Sequence, residues 1–366
     1  NLLADDLINL NLESLMLGGT RDTTADSLSY SISSDQIEID TGISLDLQEL
    51  ILVSNIDMNF GQNVSMTSAQ TAQQLEQRDI TLSDGGNVFL ISANNQWSYT
   101  TSDTPDITDA PEISTADNLA LDFGGSALFA TSNSLHIDAS LSATSTQGTL
   151  AFVAPTLRLA DSAATNSQLA TSMIDAVSVK QISFMTNDVL HIDSDTNVSL
   201  QGLLIESPLI NLNNASAVDG TIARFDISES LTLIGDTART ISNSTDSGEL
   251  TFDITEKLIL AGDSISFDGL NTVNFDVARV QLLADSDIQI ANDLALAYVD
   301  FDGGNAFDFI LSADGAITTS QSNKTPLTEA VTSEYNFLQF SAHDEIDWDS
   351  SLTLNSGILV LNSLAG

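Results

Sequence analysis

From Leu250 to Leu296 the chain repeats pairs of large apolar residues set one residue apart: Leu250/Phe252, Leu258/Leu260, Ile265/Phe267, Val273/Phe275, Val280/Leu282 and Ile288/Ile290. The step from the start of one pair to the start of the next alternates between eight and seven. Residues i and i+2 of a strand share one face, whereas a helix spaces its apolar positions by three and four. Each pair therefore reads as the inward face of a short strand. The links are too short for hairpins between long strands, and three strands with their corners make about one turn of a coil. Phe252 and Phe275, separated by three such steps, then lie one over the other. The expected fold is all-β: a parallel β-solenoid, three-faced, with about 23 residues per minimal coil and short excursions at its corners. Crossovers between parallel strands are right-handed in nearly all proteins, so a right-handed coil is expected.

The same rhythm, with steps of six to eight, governs Ile37/Ile39, Ile43/Leu45, Leu50/Leu52, Ile56/Met58 and Val64/Met66. A second frame follows the phenylalanines. Apolar residues recur six and eight positions after Phe129, Phe184, Phe225, Phe252 and Phe340, and one residue earlier after Phe152 and Phe275. These seven rings are the expected core ladder. The long gap between Phe275 and Phe340 reads as two coils, with Phe301, Phe307 or Phe309 between. Residues 1–30 read as an irregular N-terminal coil or cap, and 31–366 as solenoid, with excursions near 67–79, 100–118, 161–178 and 318–334. The Ala/Gln-rich piece at 67–79 reads as one or two helical turns leaving a corner. Asp84-Gly85-Gly86-Asn87-x-Phe89 recurs as Asp302-Gly303-Gly304-Asn305-x-Phe307, which reads as a large duplication or a repeat unit spanning several coils.

Charge narrows the partners. With 51 acidic and 9 basic residues the formal net charge is −42. Nucleic acid and anionic membrane surfaces are polyanions, so neither is an expected partner, while divalent cations are attracted. The chain has no cysteine, hence no disulfide and no thiolate site. No apolar run approaches the roughly 18 residues of a membrane span, so no membrane insertion is expected. The opening NLLADDLINL has no basic region followed by an apolar core. The chain is read either as not exported or as a mature or excised piece.

Aspartates recur just after strands, and stacked corners would align them. A column of carboxylates about 5 Å apart offers the oxygen ligands that Ca²⁺ takes. Asp84, Asp138, Asp193 and Asp302 are the candidate metal residues; the plain alternative is that Asp and Asn suit turns. The calcium nonapeptide repeat is absent, and no other cofactor is expected. His136 and His191 share the tetrapeptide Leu-His-Ile-Asp and read as strand-face surface residues. Acidic clusters on a coil invite comparison with pectin lyases and polygalacturonases, whose folds are similar. Glycoside hydrolysis needs two placed carboxylates, but a chain this acidic repels polyuronates and its basic residues are scattered singly, so the expectation is a non-enzyme. Trp97/Tyr99 and Trp348 would stack on glycans if exposed, or fill a wider core section.

The x-Leu-x-Phe and Leu-x-Leu pairs, broken by Asp-Gly, Asp-Ser and Asn turns, resemble the β-solenoid regions of large bacterial surface and secreted proteins, such as filamentous-haemagglutinin-like adhesins and autotransporter passengers. The likeness spans residues 27 to 366 in texture. The predominance of Ser, Thr, Asn, Asp and Gly over Lys is similar to that of extracellular bacterial repeat proteins. The resemblance implies an elongated structural element, extracellular or at the cell surface. Such an element would self-associate into filaments through ladder contacts or form part of a larger surface protein or adhesin stalk. The alternative is a phage-type fibre or a carbohydrate-binding or carbohydrate-processing β-helix.

Overall fold

The computed structural model describes residues 13–23, 27–68, 76–82, 86–101, 111–115, 119–137, 139–143, 147–160, 168–170, 173–174, 177–193, 196–213, 221–227, 230–234, 239–243, 249–268, 272–290, 295–298, 307–319, 327–329, 335–347 and 358–363. Within them the protein is all-β and most strands pair in parallel. Two compact units divide it, Asn1–Asn187 and Asp188–Gly366.

The second unit holds three stacks of parallel strands that recur in chain order. The first stack is Thr196–Leu200, Thr221–Ile227, the opening halves of Glu249–Gly262 and Thr272–Ala284, then Ala295–Tyr298 and Leu327–Glu329. The second is Leu203–Glu206, Ser230–Ile234, the closing halves of the same two long strands, Phe307–Ala313, Tyr335–Ala342 and Ile358–Ser363. The third is Val189–Asp193, Leu209–Asn213, Arg239–Asn243, Ile265–Asp268, Ile288–Ile290, Ile317–Thr319 and Ile346–Asp347. A register shift between Ile254 and Lys257 marks the corner inside the longest strand.

Parallel pairing in register piles like residues into columns. Phe252 and Phe275 are register partners, their rings 5.8 Å apart and 11° from coplanar. Phe225 and Tyr298 extend that column in backbone register. Phe340 does not join it. Its register partners are Leu311 and Leu361, so it sits in the second stack, in the column Ile205, Leu233, Leu260, Leu282, Leu311, Phe340, Leu361. The aromatic line changes stack at Phe309, whose ring meets Phe275 edge-on at 5.7 Å. Phe340 is nonetheless fully buried; the rhythm steps sideways by one stack.

The first unit departs further from a plain coil. Its second stack (Gln36–Ile39, Asp57–Phe60, Glu112–Thr115, Ser134–His136) and third stack (Ser44–Asp46, Ser65–Ser68, Leu119–Phe123, Ala139–Ala143) are parallel throughout. The remaining sheet, Ser14–Leu17, Glu49–Ser54, Asn87–Ser92, Ser126–Thr131, Thr149–Val153 and Gln181–Met185, is not. Asn87–Ser92 is antiparallel to both of its neighbours. Its inward face still carries the ring ladder. Phe89, Phe129, Phe152 and Phe184 follow one another at 5.1, 5.6 and 5.9 Å, and Phe60 of the second stack meets Phe89 edge-on at 5.0 Å.

The reversal follows from a second layer. Gly19–Thr23, Ser27–Ile32, Glu76–Leu82 and Asn95–Thr101 form a side sheet. Tyr30 joins Ile51, Val53, Val88, Leu90, Leu128, Ala130 and Val153 in a core on the outer face of the main sheet, with Met16 and Ile32 packed against it. The chain passes from Glu76–Leu82 to Asn87–Ser92 and back to Asn95–Thr101. Links this short leave no room for the dozen or so residues that a parallel return needs, so the middle strand must run backwards. Gly86 makes the entry turn at a φ of 85°, where a Cβ would lie 2.5 Å from the Ser54 carbonyl oxygen.

Several expected boundaries change. Ser14–Leu17 is a strand of the main sheet, and Gly19–Thr23 and Ser27–Ile32 open the side layer, where an irregular cap over 1–30 was expected; residues 1–12 lie outside the described ones. The piece expected to turn helically is strand from Glu76 onward, with 69–75 undescribed. Glu112–Thr115, Gln168–Ala170 and Leu327–Glu329 take places in sheets within segments expected as excursions. The described strands that follow the two Asp-Gly-Gly-Asn motifs in sequence pair differently: Asn87–Ser92 is antiparallel to both of its neighbours and Phe307–Ala313 is parallel to both of its own.

Candidate functional site

Three places combine unusual chemistry with a defined position. The first lies under the side sheet. Glu49 opens its strand on the outer face, in register with Ser14 and Ser92, and is 7% exposed. Its Oε1 accepts hydrogen bonds from Arg21 Nη1 at 2.8 Å and Ser14 Oγ at 3.0 Å, while Oε2 accepts from Asn95 Nδ2 at 3.0 Å. Arg21 and Asn95 belong to the side sheet, Ser14 and Glu49 to the main sheet. Both carboxylate oxygens are engaged, so this charge fastens two layers together. At the opposite end of the reversed strand, on the inward side, Asn87 is register partner of Ser54 and fully buried, its Nδ2 donating to the carbonyls of Ile56 at 2.8 Å and Glu112 at 3.0 Å. One amide thus ties successive rows of the second stack to the reversed strand.

The second place is an acidic corner in the second unit, between the second and third stacks. Gly262, Ala284, Ala313 and Ala342 are register partners, so the residues that follow, Asp263, Asp285, Asp314 and His343, stand in one exposed column. The turns stack through backbone bonds: Asp285 N to Gly262 O, Asp314 N to Ala284 O and His343 N to Ala313 O, at 3.0 to 3.1 Å. Asp287 Oδ1 accepts from Ala316 N at 2.8 Å, and a Cβ on Gly315 would collide with that same oxygen. Aspartates therefore do align at a corner, but none of the four candidate metal residues is among them. Of those, Asp193 lies at the end of a third-stack strand opposite Asn213, while Asp84, Asp138 and Asp302 lie outside the described residues. Among the described residues no group of three or more His, Asp or Glu has a geometry that could hold a metal ion.

His191 Nδ1 is 3.4 Å from Asn211 Nδ2, its register partner, and His136 pairs in register with Ser114. The two histidines lie in different units. The backbone of Trp97 and Tyr99 lies in the side sheet; their side chains and all of Trp348 are outside the described residues. Among the described residues, none of the expected metal or histidine candidates is brought together with another.

The third place is the strand Ile358–Ser363. Its described partner is Tyr335–Ala342, to which it pairs in parallel. Leu361 continues the column in which Leu282 and Leu311 are fully buried and Phe340 is 1% exposed, yet Leu361 itself is 61% exposed. Leu359 is 40% exposed and Ile358 61%. The inward side chains of a buried column here meet solvent. The sequence carried the signal, since Ile358-Leu359-Val360-Leu361 is an apolar run with no charge in a strongly acidic chain. No family model, curated protein or solved structure matches the chain.

Proposed function

We propose that the protein is a non-enzymatic structural element of the cell exterior, a repeat scaffold serving as a filament subunit or as the stalk of a surface protein or adhesin. The observation that carries this reading is the run of register-locked columns. Phe129, Phe152 and Phe184 in one unit, and Leu260, Leu282, Leu311 and Phe340 in the other, spend the large side chains on stacking one row against the next. A stack of this kind grows by adding rows, and each row needs only its neighbours. We infer a right-handed, three-faced solenoid, with a minimal coil of about 23 residues supported by the offsets from Phe129 to Phe152 and from Phe252 to Phe275. The likeness in texture to haemagglutinin-like adhesins and autotransporter passengers points the same way.

Sedimentation velocity and negative-stain electron microscopy of the isolated chain test the reading. Elongated particles, with no release of sugars from a panel of polysaccharides, are expected. Compact particles, or cleavage of any polysaccharide, would overturn it.

A further inference from the structure

We propose that the buried amide of Asn87 fixes the register of the reversed strand, setting which residues of Asn87–Ser92 stand opposite Glu49–Ser54 and Ser126–Thr131. The inference concerns how the first unit selects one pairing and is independent of the scaffold reading. Register is ordinarily set because a strand has one apolar face, so that a slip of one residue carries its apolar set out of the core. Asn87–Ser92 lacks that safeguard. Its centre is Val88-Phe89-Leu90-Ile91, with Phe89 and Ile91 turned to the inward face and Val88 and Leu90 to the core under the side sheet, all four at most 1% exposed. A slip of one residue exchanges one buried apolar face for the other.

The polar side chain at the start of the strand breaks this degeneracy. Asn87 is the register partner of Ser54 and of Thr131. Its Nδ2 donates to Ser54 Oγ at 3.2 Å and to the Ile56 and Glu112 carbonyls at 2.8 and 3.0 Å, in a residue that is fully buried. Those acceptors lie at the corner where the main sheet gives way to the second stack, so they serve one position along the strand. A slip of one residue sets Asn87 opposite Val53 and Ala130, in the apolar core that Tyr30 joins. A slip of two sets it opposite Leu52 and Phe129, inside the ring ladder. Either leaves a buried amide without its acceptors, a loss that apolar repacking does not offset. A slip in the other sense puts Val88 opposite Ser54 and Thr131 and draws the amide away from all three acceptors. A lone buried polar residue used in this way gives up stability for a single pairing.

The chain has no cysteine, so engineered pairs report the register without interference. Ser92 and Ser126 are register partners, and Ser92→Cys with Ser126→Cys changes side-chain volume little. Ser92 and Ala127, like Ile91 and Ser126, face opposite sides of the sheet and come within bridging reach only after a slip of one residue. The three full-length double variants are refolded in a glutathione redox buffer, with and without Asn87→Leu, and the bridges are mapped by mass spectrometry. With Asn87 in place, bridging of 92 to 126 is expected to exceed that of either slipped pair at least tenfold. Asn87→Leu is expected to bring a slipped pair within threefold of the native one. A tenfold preference that survives in folded Asn87→Leu would overturn the proposal. An equal loss of preference in Phe89→Leu would also overturn it, by assigning the register to the ring ladder. Should circular dichroism show Asn87→Leu unfolded, Asn87→Ser, which keeps one donor on a smaller side chain, takes its place and the same preferences decide.

Discussion

Phe152 sits between two near-parallel rings, Phe129 and Phe184, and is fully buried. Truncating it removes contacts to both and leaves a cavity that a stack of hydrogen-bonded rows cannot collapse to fill. Phe152→Ala should cost about 3 to 5 kcal/mol, read as a lowered urea midpoint, and Phe152→Leu much less. Residue-level reasoning from sequence works here because a ring ladder leaves a period in the text. It fails at Phe340, because Phe309 moves the line of rings from one stack to the next and a count of residues cannot see a change of face. It fails too at Glu49 and Arg21. They are distant in the chain and on separate layers, and nothing in either neighbourhood marks them as a pair.

At the scale of elements, the missed feature is the second layer. Leu50/Leu52 is visible as one inward pair, but the stretch is ELILVS, and the next two strands across the sheet are NVFLIS and SALFAT. Strands covered on one face alternate; strands covered on both read as continuous apolar runs. Those three runs announced a covered outer face, while ISFD and IQI in the second unit keep the alternation. Val88 lies on that outer face, fully buried under the side sheet. Val88→Asp should therefore destabilise by about 3 kcal/mol or more through an unpaired buried charge, measured by thermal melting. Thr232→Asp, at a half-buried position between the buried Leu231 and Leu233 of the second unit, should change the melting temperature little. Equal effects would mean that the side sheet does not cover its neighbour.

For the molecule as a whole, self-repulsion adds to the conformational entropy that opposes burial. Asp263, Asp285 and Asp314 stand in adjacent rows at one exposed corner, about 5 Å apart by the spacing of strands. Salt screens charges at that range in water. The melting temperature should rise by several degrees between about 10 mM and about 500 mM NaCl, and Asp285→Asn should raise it at low salt and shrink the response. A response to millimolar Ca²⁺ beyond that to Mg²⁺ would instead mean that the corner binds the ion. The net charge of −42 made such repulsion legible in the sequence; the alignment of these particular carboxylates needed the register.

The reversed strand Asn87–Ser92 has a mechanical consequence. Pulled by its ends, a pile of parallel rows peels one row at a time, and each row freed yields on the order of 80 Å of slack, at about 3.5 Å per residue. Asn87–Ser92 cannot leave in that order. It is laced between Glu49–Ser54 and Ser126–Thr131, which sit far before and after it in the chain, and the described strands that precede and follow it in sequence belong to the other layer. An optical-tweezers trace should show even, low steps from the second unit and one tall rupture from the first, which makes that lacing a knot-free brake on unravelling.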